Sequence, residues 1–442
     1  MAVRVATEKS YGEHLKKLRG EIEKKHGKSV EQLYQERQKR LWDAIEMRQP
    51  DKVPVALGGN YLAARMDGLP YSALYYDPVA WKESYTKMMA EFEPDTPATV
   101  GGQSGSVLEI LDAKTVRWPG GPFPPDITNQ AIDGEYMKED EYDIFLEDLT
   151  DFTLRYYLPR VYGTLEPLSK IPELSGRGAG LPSITPLFTT PEFQEVGRVL
   201  LEAGEEQKKW NQAMGKFDQD MESLGFPPMP QSSGGAGGIV FDQMANTYRG
   251  WKGVIADMYR RPEKLIAALE KLNRMQIAKA KPADLTKKGP QMVSSGPIHR
   301  GSDRFLSKKH WETFYWPTWK KTLQKSIDMG YKVYIFAEGF CENRFEYFLE
   351  FPKGSLVIRF TDTDMFKAKE ALGDHFCLQG SVPLTMLQMA SSQEVDEYCK
   401  KLIQVCGKGG GYILSPDTAY IQDAKPENVK AMMNAVEKYG WY

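Results

Sequence analysis

Short strand-like runs alternate with amphipathic stretches through the second half of the chain. Runs of apolar or β-favouring residues at 291–295, 332–336, 356–360, 376–378 and 412–414 predict strands. Helical spacing of apolar residues separates them, over 308–329, 344–350, 365–372 and 392–406. Such alternation indicates parallel βα units. Because five units follow one another without a dinucleotide-binding glycine fingerprint, we predict an α/β protein built on a (β/α)8 TIM-type barrel.

The first half of the chain is less regular. Residues 11–47 are charged and carry apolar residues at helical spacing, until Gln49-Pro50-Asp51 ends the pattern and residues 53–57 predict a first strand. We therefore predict that residues 1–50 are an N-terminal helical extension wrapped around the outside of a barrel that spans 51–442. Many Pro and Gly residues surround acidic helices at about 119–238, which predicts a loop-rich elaboration on the barrel rim.

Polar side chains follow every predicted strand of the second half. In barrels of this type the chemistry takes place at the C-terminal strand ends, so these residues are the candidate site. We predict catalytic roles for Glu338, His299 and Asp417. We predict substrate-binding roles for Asp362 and Gln379, and for Asn60 and Tyr61 after the first strand.

Each candidate also has a plain structural alternative. Glu338 could cap the next helix or pair with a lysine, and Asp362 and Asp417 could serve as an N-cap and a turn residue. Cys341 follows Glu338 by three residues, so Glu338 and Cys341 could share a metal ion if the loop curls back. The alternative for Cys341 is a buried thiol that packs in the core.

Composition narrows the class of protein. Lys and Arg total 57 against 60 acidic residues, a formal net charge of −3, which argues against nucleic acid as a partner. No stretch approaches the ~20 consecutive apolar residues of a membrane span, and the first residues are charged throughout. We therefore expect a cytoplasmic protein without a membrane partner, whose four cysteines form no disulfide scaffold.

Three segments together resemble the uroporphyrinogen decarboxylase superfamily. RLWDAIEMRQPDKVPV at 40–55 resembles the opening of that superfamily, and CLQGSVP at 377–383 is similar to its penultimate strand. GGGYILSPD at 409–417, followed by AKPENVKAM at 424–432, resembles its closing signature. The resemblance implies a (β/α)8 barrel, in agreement with the alternation of strands and helices.

Two activities of that superfamily are implied. True decarboxylases carry an arginine pair around Met-Arg-Gln-Ala-Gly-Arg, whereas here Met47-Arg48-Gln49 precedes Pro50 and the nearest arginine after the first strand is Arg65. Corrinoid-linked methyltransferases bind zinc through His-x-Cys and a later cysteine. Those positions fall on Phe336-Ala337-Glu338 and on Thr418, so only Glu338 retains a ligating side chain.

The resemblance thus implies a protein closer to the corrinoid-dependent methyltransferase-like members. Such a component would move a methyl group from a small methylated or methoxylated donor to a corrinoid, either a free cobamide or a corrinoid protein. Two further features are open at this point: a zinc ion held by Glu338 and Cys341, and assembly into a homodimer. The alternatives are a decarboxylase in which Asp362 or Asp417 stabilises the protonated substrate, and a non-catalytic barrel that binds a tetrapyrrole.

Overall fold

The structure is a computed structural model that describes residues 8–98, 102–173, 184–284 and 286–442. Two N-terminal helices, α1 (Glu8–His26) and α2 (Val30–Ile45), precede the first strand. The other α-helices of the described residues are Asn60–Met66, Ala73–Tyr76, Pro78–Phe92, Gly105–Ile110, Tyr142–Glu147, Leu149–Phe152, Leu158–Val161, Pro191–Met214, Phe217–Ser223, Val240–Gln243, Gly250–Arg260, Pro262–Ala278, Lys308–His310, Trp316–Asp328, Phe345–Phe348, Met365–Leu372, Leu384–Met389, Ser392–Cys406 and Pro426–Tyr439. No helix of these residues is long and apolar enough to cross a membrane.

Five parallel strands in sequential order form the largest sheet, as the alternation in the sequence predicts. The strands in chain order are β1 (Ala56–Leu57), β2 (Thr96–Pro97), β3 (Val116–Arg117), β4 (Gln130–Ala131), β5 (Met292–Pro297), β6 (Lys332–Ala337), β7 (Leu356–Phe360), β8 (Cys377–Gln379) and β9 (Tyr412–Ile413). β5 to β9 pair in that order, β1 pairs with β2 in parallel, and β3 and β4 form a separate antiparallel pair.

Further pairings extend this sheet at both edges. Val55 pairs in parallel with Leu414, so the β1–β2 pair continues the sheet beyond β9. At the other edge, Gln231 pairs in parallel with Met292 at the start of β5. The described residues therefore supply eight extended segments that run in one direction around a ring: β1, β2, residues 229–231 and β5 to β9.

The ring encloses one small apolar layer to which each of the eight segments contributes a side chain. These side chains are Ala56, Ala98, Met229, Met292, Tyr334, Val357, Cys377 and Ile413. A layer that draws on all eight segments requires a closed barrel, since an open sheet would place its two edges far apart. The predicted α/β barrel is confirmed.

Helix α2 lies across the bottom of this barrel. Its N-terminus is closed by a capping box between Ser29 and Gln32, and Leu41, Ala44 and Ile45 pack into the same interior layer as the strands. We expected this helix to wrap the outside of the barrel. It closes the N-terminal end instead, because its apolar stripe packs against the N-terminal ends of the strands. The division of the chain at residue 50 stays a prediction.

The region 119–238 contains more regular structure than its Pro and Gly content suggested. It includes the 24-residue helix Pro191–Met214, which begins with a proline in its first turn and a Thr190 cap. Residues 229–231 of the same region form one of the eight barrel segments. The described part of this region thus combines loops with helices and one barrel segment; its role as a rim elaboration stays a prediction, and residues 174–183 lie outside the described residues.

Candidate active site

A cavity of about 930 Å³ opens at the C-terminal ends of the barrel strands. Five of the residues predicted from the sequence line it together: His299, Glu338, Asp362, Gln379 and Asp417. They come from the ends of five consecutive strands, β5 to β9, which is why residues far apart in sequence meet here. A cavity of this size suits a small organic molecule.

His299 and Glu338 form the one close acid–imidazole pair in this cavity wall. The distance from Nε2 of His299 to Oε2 of Glu338 is 2.7 Å, and the two side chains remain 41% and 44% exposed. The contact with Glu338, opposed by partial burial, raises the pKa of His299 above its ordinary value of 6.5. The contact therefore favours the protonated form of the imidazole, and both side chains remain partly exposed.

Asn246 supports the other side of the His299 ring. Its amide nitrogen lies 3.4 Å from Nδ1 of His299, and its amide oxygen accepts a hydrogen bond of 3.2 Å from Nε of Arg300. Asn246 lies in the π-helical turn Met244–Tyr248, a local distortion that is frequent at functional sites. The imidazole is thus held between an amide and a carboxylate.

Asp242 holds the backbone that carries His299. Its carboxylate accepts hydrogen bonds from the backbone N–H of His299 at 3.0 Å and of Arg300 at 2.8 Å, and from the Tyr315 hydroxyl at 2.7 Å. Burial raises the pKa of Asp242 from 3.8 to about 6, and these three hydrogen bonds work against that rise. Asp242 is a positioning residue that the sequence analysis missed, since it lies on the helix Val240–Gln243.

Replacing Asp242 by Asn should lower the free energy of unfolding by about 2 kcal/mol, because an amide cannot accept from both backbone N–H groups. The raised pKa adds a pH signature. The folded state keeps the Asp242 proton to a higher pH than the unfolded state, so this residue's contribution to stability falls as pH rises from about 4 to about 6. Urea unfolding across that range should show that the free energy of unfolding falls less with rising pH in Asp242→Asn than in the wild type. Tyr315→Phe removes one donor only and serves as the milder control, and equal stability of all three proteins would contradict the assignment.

The titration of His299 should depend on Glu338. In the wild type we expect its pKa above 6.5, and in Glu338→Gln we expect it to fall, because the variant removes the carboxylate that favours the imidazolium. Histidine NMR signals can report this directly, since the chain has five histidines and a His299→Asn spectrum identifies the signal. An identical midpoint in the wild type and Glu338→Gln would show that the pair does not form in solution.

Asp417 is the second acid with a defined setting in the cavity. Its Oδ2 accepts a hydrogen bond of 3.0 Å from the backbone N–H of Leu384, whereas its buried Oδ1 has no partner. Burial raises the pKa of Asp417. Asp362 is exposed and accepts from the Thr361 hydroxyl, and Gln379 accepts from the Tyr334 hydroxyl at 3.1 Å.

Arg359 also lines the cavity, although it was not among the residues predicted from the strand ends. It lies in β7, on the same face as Val357 of the interior layer, because alternate residues of a strand share a face. The available signal was a single arginine inside the otherwise apolar run LVIRF at 356–360.

Asn60 and Tyr61 do not line the cavity. Both are buried in the helix after β1, and the Tyr61 hydroxyl donates a hydrogen bond of 2.7 Å to Asn129. The Tyr61 ring stacks on Tyr420 at 5.5 Å, and Tyr420 is the residue that faces the cavity. The structure therefore places these two predicted substrate-binding residues behind the cavity wall.

Cys341 lies outside the cavity lining as well. It is completely buried in the main hydrophobic core, and burial raises the pKa of its thiol, which opposes the thiolate that zinc requires. In the described part of the chain, no group of three or more His, Cys, Asp or Glu side chains is arranged to hold a metal ion. The predicted pairing of Glu338 and Cys341 as ligands does not fit this geometry, so we derive no step through zinc.

Comparison with known proteins gives three findings. Residues 235–439 match the family model described as Uroporphyrinogen decarboxylase (URO-D). A uroporphyrinogen decarboxylase of Pseudoalteromonas atlantica is 32% identical over 76 residues, which are 17% of this chain and 21% of that relative. The match thus spans about a fifth of the length of that curated relative.

A solved structure of a methyltransferase from Methanosarcina mazei has the same overall fold. The TM-score is 0.55 at 14% sequence identity, and the alignment covers 91% of this chain and 98% of that one. At this identity the likeness shows the fold alone. Residues 235–439, which contribute His299, Glu338 and Asp417 to the cavity, thus resemble the uroporphyrinogen decarboxylase family by their match to its model, as the resemblance in the sequence implied.

Proposed function

We propose that the protein is a methyltransferase component that moves a methyl group from a small methylated or methoxylated donor to a reduced corrinoid. The observation that carries this proposal is the His299–Glu338 pair, which lies at 2.7 Å in the wall of an open cavity at the C-terminal strand ends. The URO-D domain and the fold shared with the Methanosarcina mazei methyltransferase support it.

The pair would supply the proton that the leaving group needs. When the donor is an ether, its CH3–O bond breaks, the Co(I) of the corrinoid substrate takes the methyl group as it becomes methyl-Co(III), and the oxygen keeps the bonding electrons. That oxygen is a poor leaving group unless it is protonated. In its protonated form His299 would carry a proton on Nε2 beside Glu338 and could act as the general acid, a kind of help that contributes about 10²–10⁴-fold.

The remaining cavity residues would orient the donor. Asp417 has an unpartnered Oδ1 that can accept from a hydroxyl or N–H of the bound molecule, while Gln379 is held by Tyr334. The donor would occupy the cavity, and the larger corrinoid would approach from the open mouth. A corrinoid carrier protein docked on the rim, and a homodimer, stay predictions.

Decarboxylation is the second candidate function. The match to the URO-D family model favours it. The buried carboxyl of Asp417 also favours it, because this group could stabilise a protonated pyrrole of the substrate. The cavity lining opposes it, because it carries four acidic residues, Asp218, Glu338, Asp362 and Asp417, against the single arginine Arg359. Such a lining repels a substrate that bears several carboxylates.

One experiment separates the two functions. The protein is incubated with cob(I)alamin and, in turn, methanol, trimethylamine and 3- and 4-methoxybenzoate, and the formation of methylcobalamin is followed by its absorption spectrum. A parallel reaction with uroporphyrinogen III is tested for carbon dioxide. Methylcobalamin formation supports the proposal. Carbon dioxide release without any methyl transfer would favour the decarboxylase, and binding of cobalamin without either product would favour the non-catalytic barrel.

A further inference from the structure

The guanidinium of Arg359 is a buried cation without a contacting carboxylate, although its charge acts on the Asp417 carboxyl and opposes the rise in the pKa of that group. The residue is 7% exposed, and the hydrogen bonds that its guanidinium donates in the described residues go to backbone carbonyls and not to a carboxylate. Its Nη2 donates to the backbone carbonyl oxygens of Pro416 and Asp417, at 3.2 Å each. Its Nε is buried and has no hydrogen-bond partner. An unpaired buried charge is costly, so this arrangement is typical of a site that a ligand completes.

The surroundings of Arg359 select the kind of ligand. The guanidinium lies 4.8 Å from the centre of the Phe336 ring, a cation–π contact at the cavity wall. The Nε–H of this guanidinium has no partner, and a guanidinium N–H of this kind suits a carboxylate oxygen. Four acidic residues line the same cavity, so we expect an anion to bind only in direct contact with Arg359, and we expect the lining to oppose a phosphate dianion more strongly than a monoanion.

Asp417 adds a second requirement. Its unpartnered Oδ1 needs a hydrogen-bond donor, which a hydroxyl or N–H group of the ligand can supply. The lining also includes the aromatic side chains of Tyr334, Phe336 and Tyr420, which favour a flat apolar body. A flat monocarboxylic acid with a hydrogen-bond donor can pair with Arg359, donate to Asp417 and pack against the aromatic side chains.

We propose that Arg359 anchors the carboxylate of a small monocarboxylic substrate, of the methoxybenzoate class, with Asp417 reading a donor group on the same molecule. Only the statement that this molecule is the methyl donor rests on the proposed function. The binding site itself follows from Arg359, Asp417 and the cavity lining.

The test is calorimetric binding of 4-hydroxy-3-methoxybenzoate and 3-hydroxy-4-methoxybenzoate, the matching uncharged benzamides and 4-hydroxy-3-methoxybenzenesulfonate to the wild type, Arg359→Gln and Arg359→Lys, so that every probe carries the hydroxyl donor that Asp417 requires. We expect the carboxylates to bind more tightly than the amides by roughly 10- to 100-fold, the range of a charge-assisted hydrogen-bonded pair. Arg359→Gln should abolish that preference, and Arg359→Lys should retain part of it. Arg117→Gln, an exposed arginine outside the cavity lining, is the matched control and should bind as the wild type does.

Several outcomes would overturn the proposal. Equal binding of acid and amide, unchanged binding by Arg359→Gln, preference for the sulfonate, or no binding of either carboxylate would each do so. If Arg359→Gln does not fold, the comparison of acid with amide in the wild type and in Arg359→Lys decides. Selective carboxylate binding without methyl transfer to cob(I)alamin would uphold this site and contradict the methyltransferase proposal. Methyl transfer from uncharged donors at the same rate in the wild type and in Arg359→Lys would support the methyltransferase proposal and contradict this site.

Discussion

Replacing Glu338 by Gln should lower the rate of methyl transfer by roughly 10²–10⁴-fold, the contribution expected of general acid help. The variant keeps the size of the side chain and removes the charge that holds a proton on His299 across the 2.7 Å contact. Stability should change little, because the Glu338 side chain is 44% exposed. The rate is measured in single turnovers with cob(I)alamin, and the stability by urea unfolding.

Glu342→Gln provides a matched control for this variant. Glu342 lies four residues further on, forms an ion pair of 2.8 Å with Lys367 and does not line the cavity. The same change of acid to amide should there leave the rate within about twofold of the wild type. A structural role for Glu338 would give the opposite pattern, a clear loss of stability with nearly full activity of the folded variant.

Replacing both His299 and Glu338 should slow methyl transfer no more than replacing either residue alone. His299→Gln is expected to lower the rate by roughly 10²–10⁴-fold, since the proton is held between the two side chains and neither works without the other. Residues that act as one unit show strongly non-additive effects on rate. The double variant Glu338→Gln/His299→Gln should therefore be about as slow as the slower single variant.

The measurement is a double-mutant cycle on the single-turnover rate. Two independent contributions would multiply and make the double variant roughly 10⁴–10⁸-fold slower than the wild type. That result would show that His299 and Glu338 act on different steps or different atoms, and would contradict the pair as the acid. Asp242→Asn is a useful companion, because it should displace His299 while both reacting side chains remain.

The sequence was sufficient for the barrel and for much of the candidate site. Glu338 follows an apolar strand and faces inward with Tyr334 and Phe336, since alternate residues share a face. The five strand ends of the second half meet for the same reason, which brings His299 and Asp417 into one cavity. The barrel segments at β2 and residues 229–231 were missed because they are very short and contain prolines, which weaken the strand pattern.

Residues that act through a partner distant in sequence could not be predicted. Asp242 binds the backbone of His299 from 57 positions away, and Asn246 lies in a π-helical turn that no simple periodicity reveals. The prediction that Asn60 and Tyr61 line the site failed for a different reason. They follow a strand as the site residues do, but the helix that begins there turns them into the core behind Tyr420.

The most direct test of the account is the fate of a labelled methyl group in one turnover. Cob(I)alamin and 4-methoxybenzoate carrying ¹³C in its methyl group are mixed with the wild type or with Glu338→Gln, and the products are followed by ¹³C NMR. The account predicts that the label appears on cobalt, with the oxygen left as a phenol, and that Glu338→Gln forms this product roughly 10²–10⁴-fold more slowly. A label that remains on the donor and on each of the other methyl donors tested, or equal rates in the two proteins, would contradict it.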